Sequence, residues 1–380
     1  MNTYQQQLYD NLMSLVETNE AFYYKDFIKS GAVYRILNYR LASYTDFLQP
    51  GALECRGIMF EVEHEGRDAK GLRLVSLPME KFFNLNENPS TMDLDLSEID
   101  LIELKADGSL ISTYFHVDAN GSPFVGIKSK GSLESDQVYA VDKFLDDNID
   151  LYTTLLSLSY SGFTVNMEWC APDNRIVIGY EKPHLTVLNI RRNSTGEYID
   201  RHDPEIPDTL REIWVEELNI ESPMDEFVAQ IPDMTGIEGY VVRLSSGQRV
   251  KIKTEWYLTQ HRAKDSINSP RRLFEAVIEE ATDDLRTLFY DDPAALTRIT
   301  EMEEFAEGLY NHTVDQIERF YERNKDLERK EYAILGQQEL DRRIFGLAMT
   351  KYTNKPVDYK AFLRKNWKAF GVKDDPVGDE

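Results

Sequence analysis

Over its first 254 residues the chain is cut into short, turn-bounded runs of β-branched and aromatic residues, and this texture limits the folds open to it. FYYKDF, VYRILNY, CRGIMFEV, LRLVSL, LIELK, SLISTYFHV, FVGIKS, TVNMEWC, RIVIGY, LTVLNIRR, GYVVRL and QRVKIKT each read as a strand. Short turns join many of them, which favours antiparallel pairing. Helices are expected at about 2–17, 134–158 and 208–230, and in the last Leu210, Ile213, Trp214 and Leu218 share one helical face. After Trp256 the texture changes. Asn268-Ser269-Pro270 is a helix start, and Phe274, Val277, Ile278, Ala281, Leu285 and Leu288 follow at helical spacing. The rest, through roughly residue 366, reads as further helices. The expected class is α+β: antiparallel sheets over 1–255, an all-helical domain over 256–372, and a disordered tail, KDDPVGDE, over 373–380. The boundary is expected near 255–268.

At 380 residues the chain has room for two or three domains. The opening MNTYQQQLYDNLMSL has neither a basic n-region nor an apolar h-region, so no signal peptide is expected. No run reaches the length of a membrane span. Cys55 and Cys170 form neither a disulfide framework nor a zinc pattern, which suits a reducing cytoplasm. The formal net charge of -24 argues against a protein that coats DNA nonspecifically, because such affinity rests on cations. Cations nevertheless cluster locally. Residues 249–272 carry Arg249, Lys251, Lys253, Arg262, Lys264, Arg271 and Arg272, and residues 342–373 carry nine Lys or Arg against Asp358. A basic path on an acidic body would admit nucleic acid at one place.

The chemistry points first to Lys105-Ala106-Asp107-Gly108-Ser109. Here a lysine ends an apolar run, an Asp-Gly turn follows, and a second alternating run leaves it. Such a lysine is a candidate covalent nucleophile beside backbone N–H groups that can face a phosphate. Further along, IKSKGS supplies Lys128 and Lys130, VNMEWC supplies Glu168, and GIEGYVVRL supplies Glu238. VKIK places Lys251 and Lys253 on one face of a strand. Two inward cations are costly unless they meet anions. Upstream, LECRGIMFE contributes Arg56 and PMEKFFNLNE contributes Lys81. The six histidines form no HExxH cluster, and no GxxxxGK[ST] loop is present.

Taken in order, KxDGS, SKGS, EW, EGYV and KIK resemble the covalent lysyl nucleotidyltransferases. ALECRGIMFE, PMEKFFNLNENP, KSKGS, NRIV, GEYI, IEGYV and KIKTEWY are similar to the RNA ligase 1 family of T4-like phages. The resemblance spans most of residues 30–290 and continues more weakly to the C-terminus. It implies an adenylylation domain followed by a helical RNA-specificity domain in place of an OB-fold. It also implies an ATP-dependent RNA ligase that works through lysyl-AMP and adenylylated RNA, with a role in tRNA repair. The implied cofactors are ATP and Mg²⁺, with Mn²⁺ as an alternative. The implied partner is RNA, as nicked tRNA or single-stranded ends, met by a monomer in a host cytoplasm away from membranes.

The same resemblance implies the roles of the site residues. Lys105 is the nucleophile, and Asp107 and Gly108 shape its turn. Tyr39, Arg56 and Lys81 match nucleotide- and phosphate-contacting positions. Glu168 accepts from the AMP ribose, and Lys130 assists. Lys251 and Lys253 contact the α-phosphate, and Tyr257 matches a functional position. Glu238, Asp283 and Asp284 match metal-binding positions, although adjacent aspartates on a helix point about 100° apart. Two alternatives stay open: another covalent nucleotidyltransferase, such as a DNA ligase or capping enzyme, or an inactive RNA-binding relative. The helical sequence after KIK counts against the first, and the filled motif positions against the second.

Overall fold

The computed structural model describes residues 3–40, 42–64, 72–118, 120–282, 285–286, 289 and 292–373. They form two compact units that divide after Leu258.

The first unit carries thirteen strands: β1 (Phe22–Lys29), β2 (Ala32–Tyr39), β3 (Ile58–His64), β4 (Arg73–Ser76), β5 (Phe83–Asn84), β6 (Ile99–Leu104), β7 (Ser109–Val117), β8 (Pro123–Ser129), β9 (Phe163–Cys170), β10 (His184–Arg192), β11 (Tyr198–Ile199), β12 (Gly239–Leu244) and β13 (Arg249–Lys253). They make three sheets, ordered β1-β2-β3-β4, β11-β10-β9-β7-β8 and β5-β13-β12-β6. Pairing is antiparallel, as expected from the short connections, except where the two-residue β5 runs parallel to β13. The β1–β2 hairpin turns through Ser30 and Gly31, both at positive φ (51° and 76°), a two-residue loop whose twist suits the strands.

Strand alternation gives each sheet a face to bury. The helix Thr3–Thr18 lays Leu8, Leu12 and Leu15 on Phe22, Leu37, Ile58 and Phe60. The opposite face of that sheet packs Tyr34, Ile36, Met59 and Val75 with Tyr114 of β7. The far side of the five-stranded sheet is covered by Val138, Val141, Leu145 and Leu155 from two helices. Ile102, Val242, Val250 and Ile252 of the third sheet bury against Phe227, Val228 and Ile231.

Four local expectations are corrected. The helix expected over 134–158 is two, Asp136–Asp146 and Ile149–Tyr160. Asn148 leaves helical geometry (φ −127°, ψ 62°) and donates its side-chain amide to the Phe144 carbonyl at 2.7 Å, competing with the helix ladder. Of 208–230 only Asp208–Arg211 and Met224–Gln230 are α-helical. Between them the chain is an extended strip. Val187 N–H donates to the Ile213 carbonyl, Val215 N–H to Val187, Leu104 N–H to Glu216 and Leu218 N–H to Ile102. Leu210, Ile213 and Trp214 therefore join the core of the five-stranded sheet, and Leu218 that of the third sheet. RIVIGY is not a strand, because its N–H groups turn inward to a buried carboxylate. Finally, LIELK and SLISTYFHV do not form a hairpin: β6 and β7 belong to different sheets, and the Lys105–Gly108 segment crosses between them.

In the second unit every α-helix or strand among the described residues is a helix, beginning within Glu255–Asn268, which spans the division. Ser269 caps Pro270–Ile278 by accepting from Arg272 N–H. The helices Pro293–Asn324, Arg329–Glu339, Phe345–Tyr352 and Tyr359–Lys365 follow. Phe274, Ile278, Ala306 and Leu363 form one core, and Ile317, Phe320, Tyr332 and Ala348 another. The cations of 342–373 are not a bare basic path: Lys351 pairs with Glu318, Lys360 with Glu280 and Arg364 with Glu279. Residues 374–380 of the expected tail, and Leu288 of the helical pattern, lie outside the described residues. No helix among the described residues is long and apolar enough to cross a membrane.

One contact locks the loop that bears Arg56. Gly57 has φ 88°, and a Cβ there would lie 2.5 Å from the Lys130 carbonyl oxygen. Gly57→Ala is therefore expected to destabilise the protein by about 2 kcal/mol or more. Urea unfolding measures this, and an unchanged midpoint would contradict the packing.

Candidate active site

Lys105 follows directly on β6, and its own N–H donates to the Gly239 carbonyl at 2.9 Å, holding it beside the start of β12. Glu238 immediately precedes that strand. The Lys105 Nζ donates to Glu238 Oε2 at 2.8 Å, and Lys253 Nζ lies 2.9 Å from Glu238 Oε1. The carboxylate is 3% exposed and bridges two lysines that are 22% and 24% exposed. A buried charge is tolerated when paired in this way. As the alternation of VKIK requires, Lys251 and Lys253 share one face of β13, and Lys253 Nζ also sits 4.9 Å from the Tyr257 ring centre.

Asp107 shapes the site, though not through a local turn. Its buried carboxylate accepts from Val177 N–H (2.8 Å), Ile178 N–H (2.6 Å) and the Tyr257 hydroxyl (2.7 Å). Three N–H and O–H donors replace water around the anion. Burial, with Glu238 and Asp107 close by, pushes the Tyr257 phenol far up, so it stays a donor. Gly108 is required by space: a Cβ there would lie 2.3 Å from the Trp169 carbonyl oxygen. Its N–H donates to Glu168 Oε1 at 3.0 Å. Burial pushes the Glu168 carboxyl up to about 7, partly offset by Lys105 and reinforced by Glu238.

A second group of cations gathers on aromatic rings. Lys81 Nζ lies 5.7 Å from the Tyr39 ring centre and 5.2 Å from that of Phe83, and Lys130 Nζ lies 5.5 Å from Tyr39. Arg56 Nη1 is buried without a hydrogen-bond partner. Burial, reinforced by Lys81, Lys105 and Arg56, lowers the Lys251 ammonium to about 7. The surplus of positive charge suits a polyanion.

The expected site residues Lys105, Asp107, Gly108, Glu168, Glu238, Lys253 and Tyr257 are thus joined by direct contacts. Tyr39, Lys81 and Lys130 form the adjoining cluster, and the charges of Arg56 and Lys81 act on Lys251. Asp283 and Asp284 lie outside the described residues, among which no three His, Cys, Asp or Glu converge as a metal-binding group. Three side chains to which the motif reading gave no role lie at the site. Tyr180 accepts from Asp107 N–H at 3.2 Å, and Asn174 donates to the Trp169 carbonyl and to Ser109 Oγ. Lys128 is buried nearby on β8. Tyr180 and Asn174 lie 73 and 65 residues from Asp107 and Ser109, so only the fold reveals the pairing.

Comparison with known proteins gives the family. Residues 54–257 match the family described as RNA ligase, and residues 264–373 match that described as T4 RNA ligase 1, C-terminal domain. The chain belongs to the RNA ligase 1 family of T4-like phages, a class of ATP-dependent RNA ligases. It is similar to RNA ligase 1 of Bacteriophage TS2126, 27% identical over 345 residues that cover 88% of this chain and 81% of the relative. Among solved structures it is similar to Naegleria gruberi RNA ligase. One such structure gives a TM-score of 0.35 at 14% identity, covering 44% of this chain and 52% of that one. A second gives 0.38 at 12% identity, covering 50% and 61%.

The raised Glu168 carboxyl has a consequence for stability. Folded Glu168 keeps its proton to about pH 7, whereas an ordinary glutamate releases it near 4.5. Between these values the unfolded chain gives up a proton that the native chain holds, so native stability falls as pH rises. Glu168→Gln is expected to match the parent's stability below pH 4.5, to exceed it increasingly up to about 7, and to hold that gain above. Urea titrations at acidic and neutral pH would refute this if the gain were largest in acid.

Proposed function

We propose that this ligase adenylylates itself at Lys105 with ATP as co-substrate, then joins RNA 5′-phosphate and 3′-hydroxyl ends. The observation that carries this reading is the buried carboxylate of Glu238, held between the amines of Lys105 and Lys253. In the first step Lys105 Nζ attacks the α-phosphorus of ATP. A P–N bond forms, the P–O bond to the β-phosphate breaks, and pyrophosphate leaves. The Nζ proton has an acceptor 2.8 Å away in Glu238. Lys253 and Lys251 are placed to neutralise charge that builds on the α-phosphate. Arg56, Lys81 and Lys130 extend that cation set along the phosphates, and Tyr39 supports it.

In the second step an oxygen of the RNA 5′-phosphate attacks the same phosphorus, the P–N bond breaks, and Lys105 recovers its proton. In the third step an RNA 3′-hydroxyl attacks the activated 5′-phosphate and gives its proton to solvent, the P–O bond to AMP breaks, and AMP departs with the electron pair. Glu168 Oε1 is held by Gly108 N–H, which leaves Oε2 for a ribose hydroxyl. Asp107 and Tyr257 hold the Lys105–Gly108 crossing in place.

A divalent cation, Mg²⁺ or alternatively Mn²⁺, fits the oxygen chemistry of Glu238, since such ions take one or two carboxylates plus phosphate oxygens and water. Both Glu238 oxygens face lysines here, so a bound ion would share this carboxylate with Lys105 and Lys253. Glu238 would hold the ion, which would supply charge neutralisation at the phosphates.

Residues 256–372 would recognise RNA. Their helical character and family match favour an RNA ligase over a DNA ligase or capping enzyme. Action as a monomer in a host cytoplasm, on nicked tRNA or single-stranded RNA ends in tRNA repair, belongs to the same proposal. A panel of nicked DNA, anticodon-nicked tRNA and single-stranded RNA separates these acceptors.

Incubation with Mg²⁺ and α-phosphate-labelled ATP is expected to leave label on the denatured protein, and Lys105→Ala is expected to lose it by roughly a thousandfold or more. Retained label on Lys105→Ala would move the nucleophile elsewhere. No label on parent enzyme stripped of prebound AMP would reject self-adenylylation.

A further inference from the structure

Lys128 has no part in the reaction described above, and its surroundings are unusual. On β8, Val125 and Ile127 face the helical side of the five-stranded sheet. Alternation turns Lys128 to the other face, the one shared by Gly126 and Tyr114. Lys128 is 0% exposed, and its Nζ has no hydrogen-bond partner among the described residues. The Nη1 of Arg56 is equally buried and unpartnered. The two segments are locked together by the close approach of Gly57 to the Lys130 carbonyl.

Arg56 is the charged group that acts on Lys128, and no carboxylate offsets it; Tyr114 on the adjacent strand is held as a neutral phenol by burial. Burial and Arg56 together lower the Lys128 ammonium to about 7. An apolar side chain of similar volume would suit this position better in the fold alone. An anion arriving at Arg56 would reverse that preference.

We propose that Lys128 is a positioning residue for the phosphates of bound ATP, acting through Arg56 by placing a second positive charge beside its guanidinium. The proposal rests on the adenylylation reading given above. A phosphate on Arg56 supplies the negative charge that Lys128 lacks, so Lys128 takes up a proton as the nucleotide binds. Affinity then falls as pH rises above the empty-site value, because the proton becomes harder to recruit.

Lys128→Met keeps the apolar stem and removes the amine. Binding is read without turnover, using an ATP analogue with a methylene between the α- and β-phosphorus. The variant is expected to bind roughly tenfold more weakly near neutral pH, with the difference shrinking from about pH 7.5 to about 9.5. Its unfolding midpoint without nucleotide is expected to equal or exceed the parent's. Weaker binding in an equally or more stable fold distinguishes positioning from structural support. Unchanged affinity, or a lower midpoint with unchanged affinity, overturns the proposal.

Should Lys128→Met not fold, Lys128→Gln is read against the same expectations. In the unmodified protein the analogue's affinity is expected to fall over the same pH range, and a flat profile overturns the proposal without any variant. Absence of label from the parent would instead reject the adenylylation reading, while analogue binding still judges Lys128.

Discussion

Glu238 can remain an anion 3% exposed to solvent because two ammonium groups face its two oxygens. Removing either lysine would leave a buried carboxylate half satisfied, a far larger penalty than the net worth of one ion pair. Much of the first unit is arranged to meet that demand. Lys105 comes from the end of β6, Glu238 from the start of β12, and Lys253 from the end of β13, so one sheet delivers all three to one rim. The neighbouring sheet contributes Glu168, tied to the same segment through Gly108.

The charge balance around this carboxylate is uneven. Lys81, Lys105 and Arg56 act on Lys251 across the site, and burial of Lys251 makes its ammonium unfavourable. Such a site stores repulsion that a polyphosphate relieves, so affinity and destabilisation have a common origin. The acidic surplus of the whole chain lies elsewhere, and in the second unit it neutralises several cations locally.

Period-two patterns made most strands legible, since alternation needs only a half-buried sheet to act on, and Lys251 and Lys253 fell on a common face for that reason. The motif lysines and glutamates were legible because their types and order are those of a known chemistry. What escaped was set by distant partners. RIVIGY has the composition of a strand, yet its amides are claimed by Asp107. Leu210, Ile213, Trp214 and Leu218 match a helical face, but backbone bonding to two sheets outweighs local propensity. Lys128 resembled any lysine of a basic motif until its burial was visible.

The strip from Ile213 to Leu218 has a consequence for how the two walls of the site stay aligned. Its backbone bonds to β10 at one end and β6 at the other, so it acts as a splint between the sheets that carry Glu168 and Lys105. Both ends of a splint must keep step. A one-residue slip would present wrong donors and acceptors to both sheets at once and turn Trp214 and Leu218 out of their separate cores. The spacing of Lys105 and Glu168 is thereby tied to a segment that places no side chain between them.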